Sequence, residues 1–148
     1  MVQKEVADRL AAVPGSKSYG PLALLLGIYG RITCKFQVSR EAFLPRPRVQ
    51  STVLHIHVND APLVPSDEIP YLRHVVRTAF GQRRKVLLNS LSALVAEGRE
   101  VVHTVLEELG IEGRRRAETL SLEEFVQLAR ALRNYGTTGP QEYRTQKE

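Results

Sequence analysis

Residues 22–29 are apolar on nearly every side, and they run directly into the two stretches of the chain with strand-like alternation. A helix apolar all round has to be covered on all its faces. Across residues 32–38 the alternation sets Ile32, Cys34, Phe36 and Val38 on one face, with Cys34 in the core. Across residues 51–58 it does the same for Leu54, Ile56 and Val58. An opening helix over residues 3–12, with Val6, Leu10 and Val13 on one side, is the other element of this part. Two strands and two helices cannot cover one another, because a two-stranded ribbon is marginal by itself. Residues 1–62 therefore read as the end of a larger sheet, completed either by chain not present here or by a second copy.

The connections are equally directive. The stretch Pro14-Gly15-Ser16-Lys17-Ser18-Tyr19-Gly20 is a loop rich in breakers, and Pro21 suits the first turn of the next helix. Between the strands, Pro45 and Pro47 force an extended path through Phe43, Arg46 and Arg48. After a linker over residues 59–66 every signal is helical. Leu72, Val75, Val76, Ala79 and Phe80 form one stripe, and Gly81 interrupts it. A helix over 82–95 then resumes with Leu87, Leu91, Leu94 and Val95 inward, and another over 102–109 closes at Gly110. Ser121 and Glu124 have capping-box spacing before Phe125, Leu128, Ala129 and Leu132, and that helix stops by Gly136. The expected architecture is α/β plus α: a sheet part over 1–62, a small helical domain over 63–136 and a disordered tail over 137–148.

Charge is unevenly placed. Residues 1–96 hold 13 Lys and Arg against 6 Asp and Glu, whereas residues 97–148 hold 8 against 10. A basic front suits a polyanion, although chance clustering on a solvated face gives the same count. No apolar run approaches a membrane span and no secretory leader pattern opens the chain, so a soluble, cytoplasmic protein is expected. With one cysteine there is no internal disulfide. No two glycines are separated by a single residue, so a G-x-G-x-x-G nucleotide cradle is absent, as is a P-loop. No cofactor-binding residue and no metal site is expected. His55 and His57 share a strand face, but no third ligand is near in sequence.

Two clusters carry possible chemistry. Gln82-Arg83-Arg84-Lys85 is placed at a helix start, where the macrodipole disfavours cations, and Arg73 and Arg77 precede it at helical spacing. An external phosphate would compensate that charge; a solvated face with the arginine stems covering apolar neighbours is the alternative. Arg114-Arg115-Arg116 is weaker, because glutamates surround it. In the proline loop, Phe43 beside Arg46 and Arg48 has the ingredients to stack an unpaired base and grip its phosphates, or Phe43 simply caps the strand pair. Lys17 and Tyr19 add a cation and a ring in the first loop.

Taken together these segments resemble the ribosomal RNA adenine dimethyltransferases that act on two adjacent adenines of small-subunit rRNA. Val2 to Leu10 is similar to the family's QKEVxxRL segment, and Pro14 to Leu22 to its PGSKxYGxLS loop. Phe43 to Ser51 resembles FxPPPKVxS, with Arg46, Arg48 and Gln50 departing from it. Ala79 to Lys85 with Asn89 follows AFxQRRKxLxN, and Arg116 to Ser121 resembles RAExLS. A basic residue at Arg46 is also similar to the large-subunit methylases, which lack the Gln82 to Lys85 pattern. The resemblance implies a fold in which residues 1–62 are the C-terminal remnant of a Rossmann-like methyltransferase sheet. It implies S-adenosylmethionine as the parent enzyme's methyl donor, bound by a glycine motif that precedes the family segment matched by Met1. It implies Phe43 stacking the target adenine, and Lys17, Tyr19, Arg46, Arg48, Arg73, Arg77, Arg83, Arg84 and Lys85 contacting small-subunit rRNA or the immature small subunit. On that view the chain alone is inactive and binds no methyl donor. A non-catalytic RNA-binding or ribosome-assembly module is the alternative, and an in-frame stop just upstream of the Met1 codon would favour it.

Overall fold

A computed structural model describes residues 1–82, 84–96 and 98–135. Arg83, the stop at Gly136 and the 137–148 tail lie outside the described residues. The chain divides into two compact units, one over Met1–Leu63 and one from Val64 onward.

In the first unit, β1 (Val2–Gln3) leads into α1 (Lys4–Leu10), then α2 (Pro21–Tyr29), β2 (Gly30–Val38) and β3 (Ser51–Val58). The sheet has three strands in the order β1-β3-β2, with both neighbours antiparallel to β3. The opening helix is thus shorter than its sequence pattern, because Val2 and Gln3 pair with Thr52 and Ser51. Buried Ala7 is the anchor of α1, while Val13 is 64% exposed. Gly30 closes α2 by close approach: a Cβ there would lie 2.3 Å from the His57 carbonyl oxygen.

The expected apolar face of β2 does not form. A bulge interrupts the register between Ile32 and Cys34, so Ile32 lies opposite Ile56 while Cys34 lies opposite His55. One extra residue in one strand moves everything after it to the other side. Cys34, Phe36 and Val38 therefore oppose His55, Val53 and Ser51, and Lys35 takes the place beside Leu54. Cys34 is exposed rather than in the core. The Lys35 ammonium reaches Asp8 of α1 at 2.6 Å, beside Lys4 at the same distance. Those hydrogen bonds, from Lys35 first and Lys4 second, hold the Asp8 carboxyl below its usual range. The helices thus cover the Thr52, Leu54 and Ile56 side.

Coverage is incomplete elsewhere. Only Leu24 and Ile28 of α2 are buried, and Leu22 and Tyr29 are exposed. Of the ten exposed large apolar side chains among the described residues, nine belong to this unit. The Thr52 hydroxyl is buried without a hydrogen-bond partner.

The second unit is helical: α3 (Ile69–Gly81), α4 (Leu87–Leu91), α5 (Arg99–Glu108) and α6 (Leu122–Asn134). The predicted stripe on α3 is buried in full, joined by Ile69 and Tyr71. Phe80 stacks on Phe125 with ring centroids 5.9 Å apart. Gly110 closes α5 with a φ of 67°, a left-handed conformation suited to glycine. The Ser121–Glu124 capping box forms reciprocally, with Ser121 N–H donating to Glu124 Oε2 at 2.8 Å and Glu124 N–H donating to Ser121 Oγ at 3.2 Å. Arg115 donates to the same carboxylate at 2.5 Å and also to the Thr119 carbonyl at 2.7 Å. Arg115 is therefore part of the scaffold.

That network makes stability depend on pH. Chiefly through the Arg115 hydrogen bond, and further through Ser121, Glu124 titrates below its ordinary 4.5. A depressed carboxyl stabilises the fold above its unfolded value, and that contribution disappears as pH falls through the folded value. Glu124→Gln should cost on the order of 1 kcal/mol at neutral pH, as for a lost cap, with the deficit closing in acid. Melting curves of both chains across the acid range check this; a deficit that stays constant with pH would contradict it.

Candidate nucleic-acid interface

The predicted helix over 82–95 is broken, which changes the reading of the basic cluster. After α3 the backbone leaves helical geometry at Gln82, with φ −128° and ψ 65°. Arg84 and Lys85 lie in the turn before α4, and Ser92–Leu94 forms a separate 3-10 turn. Leu87, Leu91, Leu94 and Val95 are nonetheless all buried as expected. The two cations follow the C-terminal end of α3, where positive charge is favourable, and do not oppose the dipole of a following helix. Nor are the first amides of α4 available to a ligand. Leu87 N–H donates to the Arg115 carbonyl at 2.9 Å and Leu88 N–H to the Gly113 carbonyl at 3.2 Å.

What the turn does offer is uncompensated charge. Arg73, Arg77, Arg84 and Lys85 are exposed, and none forms an ion pair among the described residues. Other cations of the unit are engaged: Arg130 with Glu68 at 2.7 Å, Arg115 with Glu124, and Arg133 beside Asp67 at 3.9 Å. The backbone pairing of Leu87 and Leu88 also brings the 113–116 segment alongside the turn. Exposed Arg114 and Arg116 thereby join Arg84 and Lys85 near the start of α4. Sequence spacing gave this triplet less weight because of its glutamate neighbours; a pairing thirty residues apart carries no local signal. Arg83 lies outside the described residues.

In the first unit the proline loop is built on a short 3-10 helix, Arg40–Ala42, capped by Ser39, whose Oγ accepts from Glu41 N–H at 3.2 Å. Phe43 follows in extended conformation and is half-buried. Leu44 is the loop's fully exposed apolar side chain, and Leu44–Pro45 is cis. Arg46 is paired with Glu41 at 2.5 Å, whereas the exposed Arg48 side chain has no such partner. Lys17 is exposed. Tyr19 is only 4% exposed, so its ring belongs to the core of this unit and cannot stack on a base. That expectation is corrected: loop composition signalled a ring without signalling its direction.

His55 and His57 are exposed, and the Thr33 hydroxyl lies 2.6 Å from His55 Nδ1. Among the described residues no group of three His, Cys, Asp or Glu could hold a metal ion. No helix among them is long and apolar enough to cross a membrane.

A nucleotide-type cofactor in a doubly wound sheet sits at the carboxyl ends of parallel strands, against a glycine turn. The three strands here are antiparallel, and Gly30, the glycine at a strand start, is closed off by the His57 backbone. The described residues do not form that cradle, so no step of methyl transfer can be derived on them.

Comparison with known proteins accounts for this combination of an open sheet and a basic helical unit. The family described as "Ribosomal RNA adenine dimethylase" matches residues 1–133. Ribosomal RNA small subunit methyltransferase A of Caldanaerobacter subterraneus subsp. tengcongensis is 44% identical over 132 residues, which is 89% of this chain and 49% of that protein. The protein of the same name from Bacillus cytotoxicus is 42% identical over 135 residues, 89% of this chain and 46% of its own length. The chain thus spans about half the length of these curated relatives. Among solved structures, a dimethyladenosine transferase from Plasmodium falciparum aligns with a TM-score of 0.75 at 21% identity, covering 91% of this chain and 56% of that one. The 23S rRNA methyltransferase ErmE aligns at 0.57 and 20% identity, covering 88% and 52%. Both share the fold. With the family pattern matched from Met1 to Arg133, the chain belongs to the ribosomal RNA adenine dimethylase family.

Proposed function

We propose that this chain is the RNA-contacting C-terminal portion of an enzyme that transfers methyl groups from S-adenosylmethionine to two adjacent adenines of small-subunit rRNA. The observation that carries the reading is the set of unpaired cations Arg73, Arg77, Arg84 and Lys85 in a family member whose scaffold cations are all engaged. Polyanion contacts are the natural use of cations that the fold itself leaves uncompensated. The uncovered apolar side of the first unit supports a second part of the reading, that residues 1–62 complete a larger Rossmann-like sheet, as the half-length match to the relatives suggests. Residues 63–136 act as the rRNA-binding domain, and the cradle for the methyl donor is supplied outside the described residues.

Within the first unit, Phe43 is assigned to the target base. An adenine amine is a weak nucleophile because its lone pair is delocalised into the ring, so the base has to be extruded and oriented before it can react. Stacking on Phe43 would hold the extruded ring, with Arg46, Arg48 and Lys17 on neighbouring phosphates. Arg46 would have to exchange Glu41 for phosphate.

The experiment is methyl transfer by an enzyme in which this chain is continuous with the remaining half of the relatives' length. There Phe43→Ala should lower kcat/KM by about 1–3 kcal/mol of transition-state stabilisation, roughly 5- to 150-fold. Unchanged turnover with an unchanged melting temperature would return Phe43 to a packing role.

A further inference from the structure

On α3, Pro70 and His74 are one helical turn apart, as are Arg73 and Arg77, so the two rows adjoin. These four residues line a cleft of about 140 Å³, and no carboxylate is among its described walls. Both guanidiniums lack an ion-pair partner among the described residues, and the half-buried imidazole lies between them. Two uncompensated cations around a third group able to take a proton form an arrangement that an anion completes.

Resting on the RNA-binding reading above, we propose that the Pro70–Arg73–His74–Arg77 cleft is a phosphodiester subsite in which His74 takes up a proton as the phosphate binds. In the free chain His74 is held below its ordinary value, first by burial and then by the Arg77 charge, so it is mostly neutral near pH 7. A phosphate brought against it reverses that balance, since an opposite charge within about 4–6 Å favours the charged form by roughly 1–3 units.

The groups on neighbouring elements do not supply that charge. The Tyr71 ring stands 6.5 Å from His74, and burial pushes its phenol up to about 12, so it is uncharged. The helices α4 and α6 and the 3-10 turn Ala117–Thr119 pack against α3. No ionisable residue occurs in α4. On α6, Glu124 is held by Arg115, Arg130 by Glu68, and Arg133 stands beside Asp67, while Glu123 is exposed. Glu118 of the 3-10 turn is half-buried and does not line the cleft.

The test is calorimetric titration of the 148-residue chain with a mixed-sequence RNA hairpin near pH 7, in buffers of different ionisation enthalpy. Net uptake of a fraction of one proton is expected, with affinity rising toward acid by at most about tenfold per pH unit. His74→Gln should abolish the uptake. His74→Lys, permanently charged, should retain affinity at alkaline pH and take up no proton, which a merely structural histidine would not allow. Equal proton uptake by wild type and His74→Gln overturns the inference. If Arg73→Gln/Arg77→Gln flattens the salt dependence while neither wild type nor His74→Gln takes up a proton, the RNA reading stands and the histidine assignment fails. If that double variant binds with an unaltered salt dependence, the subsite fails together with the reading of those arginines.

Discussion

Phe125→Ala is expected to remove about 3–5 kcal/mol from the stability of the helical unit, the range for deleting a buried phenylalanine ring. Phe125 is fully buried, and it stacks on Phe80 from the opposite helix. Deleting the ring loses its transfer free energy and leaves a cavity that Leu128, Leu132 and the α3 stripe can close only in part. Because small domains are stable by only about 5–15 kcal/mol, the variant should melt far below wild type or fail to fold. Phe36→Ala is the matched comparison. That ring is 53% exposed on the open side of the sheet, so the chain should lose little on its removal. Near-equal melting temperatures for the two variants would show that the core has been misassigned.

The contrast between these phenylalanines marks where sequence reasoning succeeds. In the helical unit, 3.6-residue periodicity picked out the α3 stripe, and Ser121 with Glu124 announced the start of α6, because both signals are local. Each unit of local information there agrees with the packing. In the sheet, alternation assumed an uninterrupted register, and the single bulge after Ile32 moved Cys34 and Phe36 to the opposite face. A bulge is decided by the partner strand, so the strand's own sequence does not disclose it.

The candidate interface divides along the same line. The helical spacing of Arg73 and Arg77 was legible, since both residues sit on one continuous helix. The apparent helix start at Gln82 was not, because the break and the capping of α4 by the Arg115 and Gly113 carbonyls come from tertiary pairing. This reverses the electrostatic argument for Arg84 and Lys85 without removing their importance. Their charge is tolerated by the fold after α3, and it is still unpaired.

Combined replacement of Arg73, Arg77, Arg84 and Lys85 with Gln carries the largest functional effect. Each phosphate contact contributes about 0.7 to 0.9 to the slope of log K against log salt, so the four together should account for roughly three units. The same substitutions should cost little stability. Losing favourable charge beyond the end of α3 amounts to about 0.3–1 kcal/mol per group at most, and screening by salt reduces it further. Arg9→Gln/Arg31→Gln removes two exposed cations of the other unit, and its salt slope should stay close to that of the wild type.

The most direct measurement is therefore the salt dependence of binding to a small-subunit rRNA fragment, recorded for wild type, the quadruple variant and the Arg9/Arg31 control. A slope reduced by roughly three units in the quadruple variant alone, with melting unchanged, is the predicted result. Equal slopes for all three chains, with intact folding, would contradict the assignment of this surface to RNA.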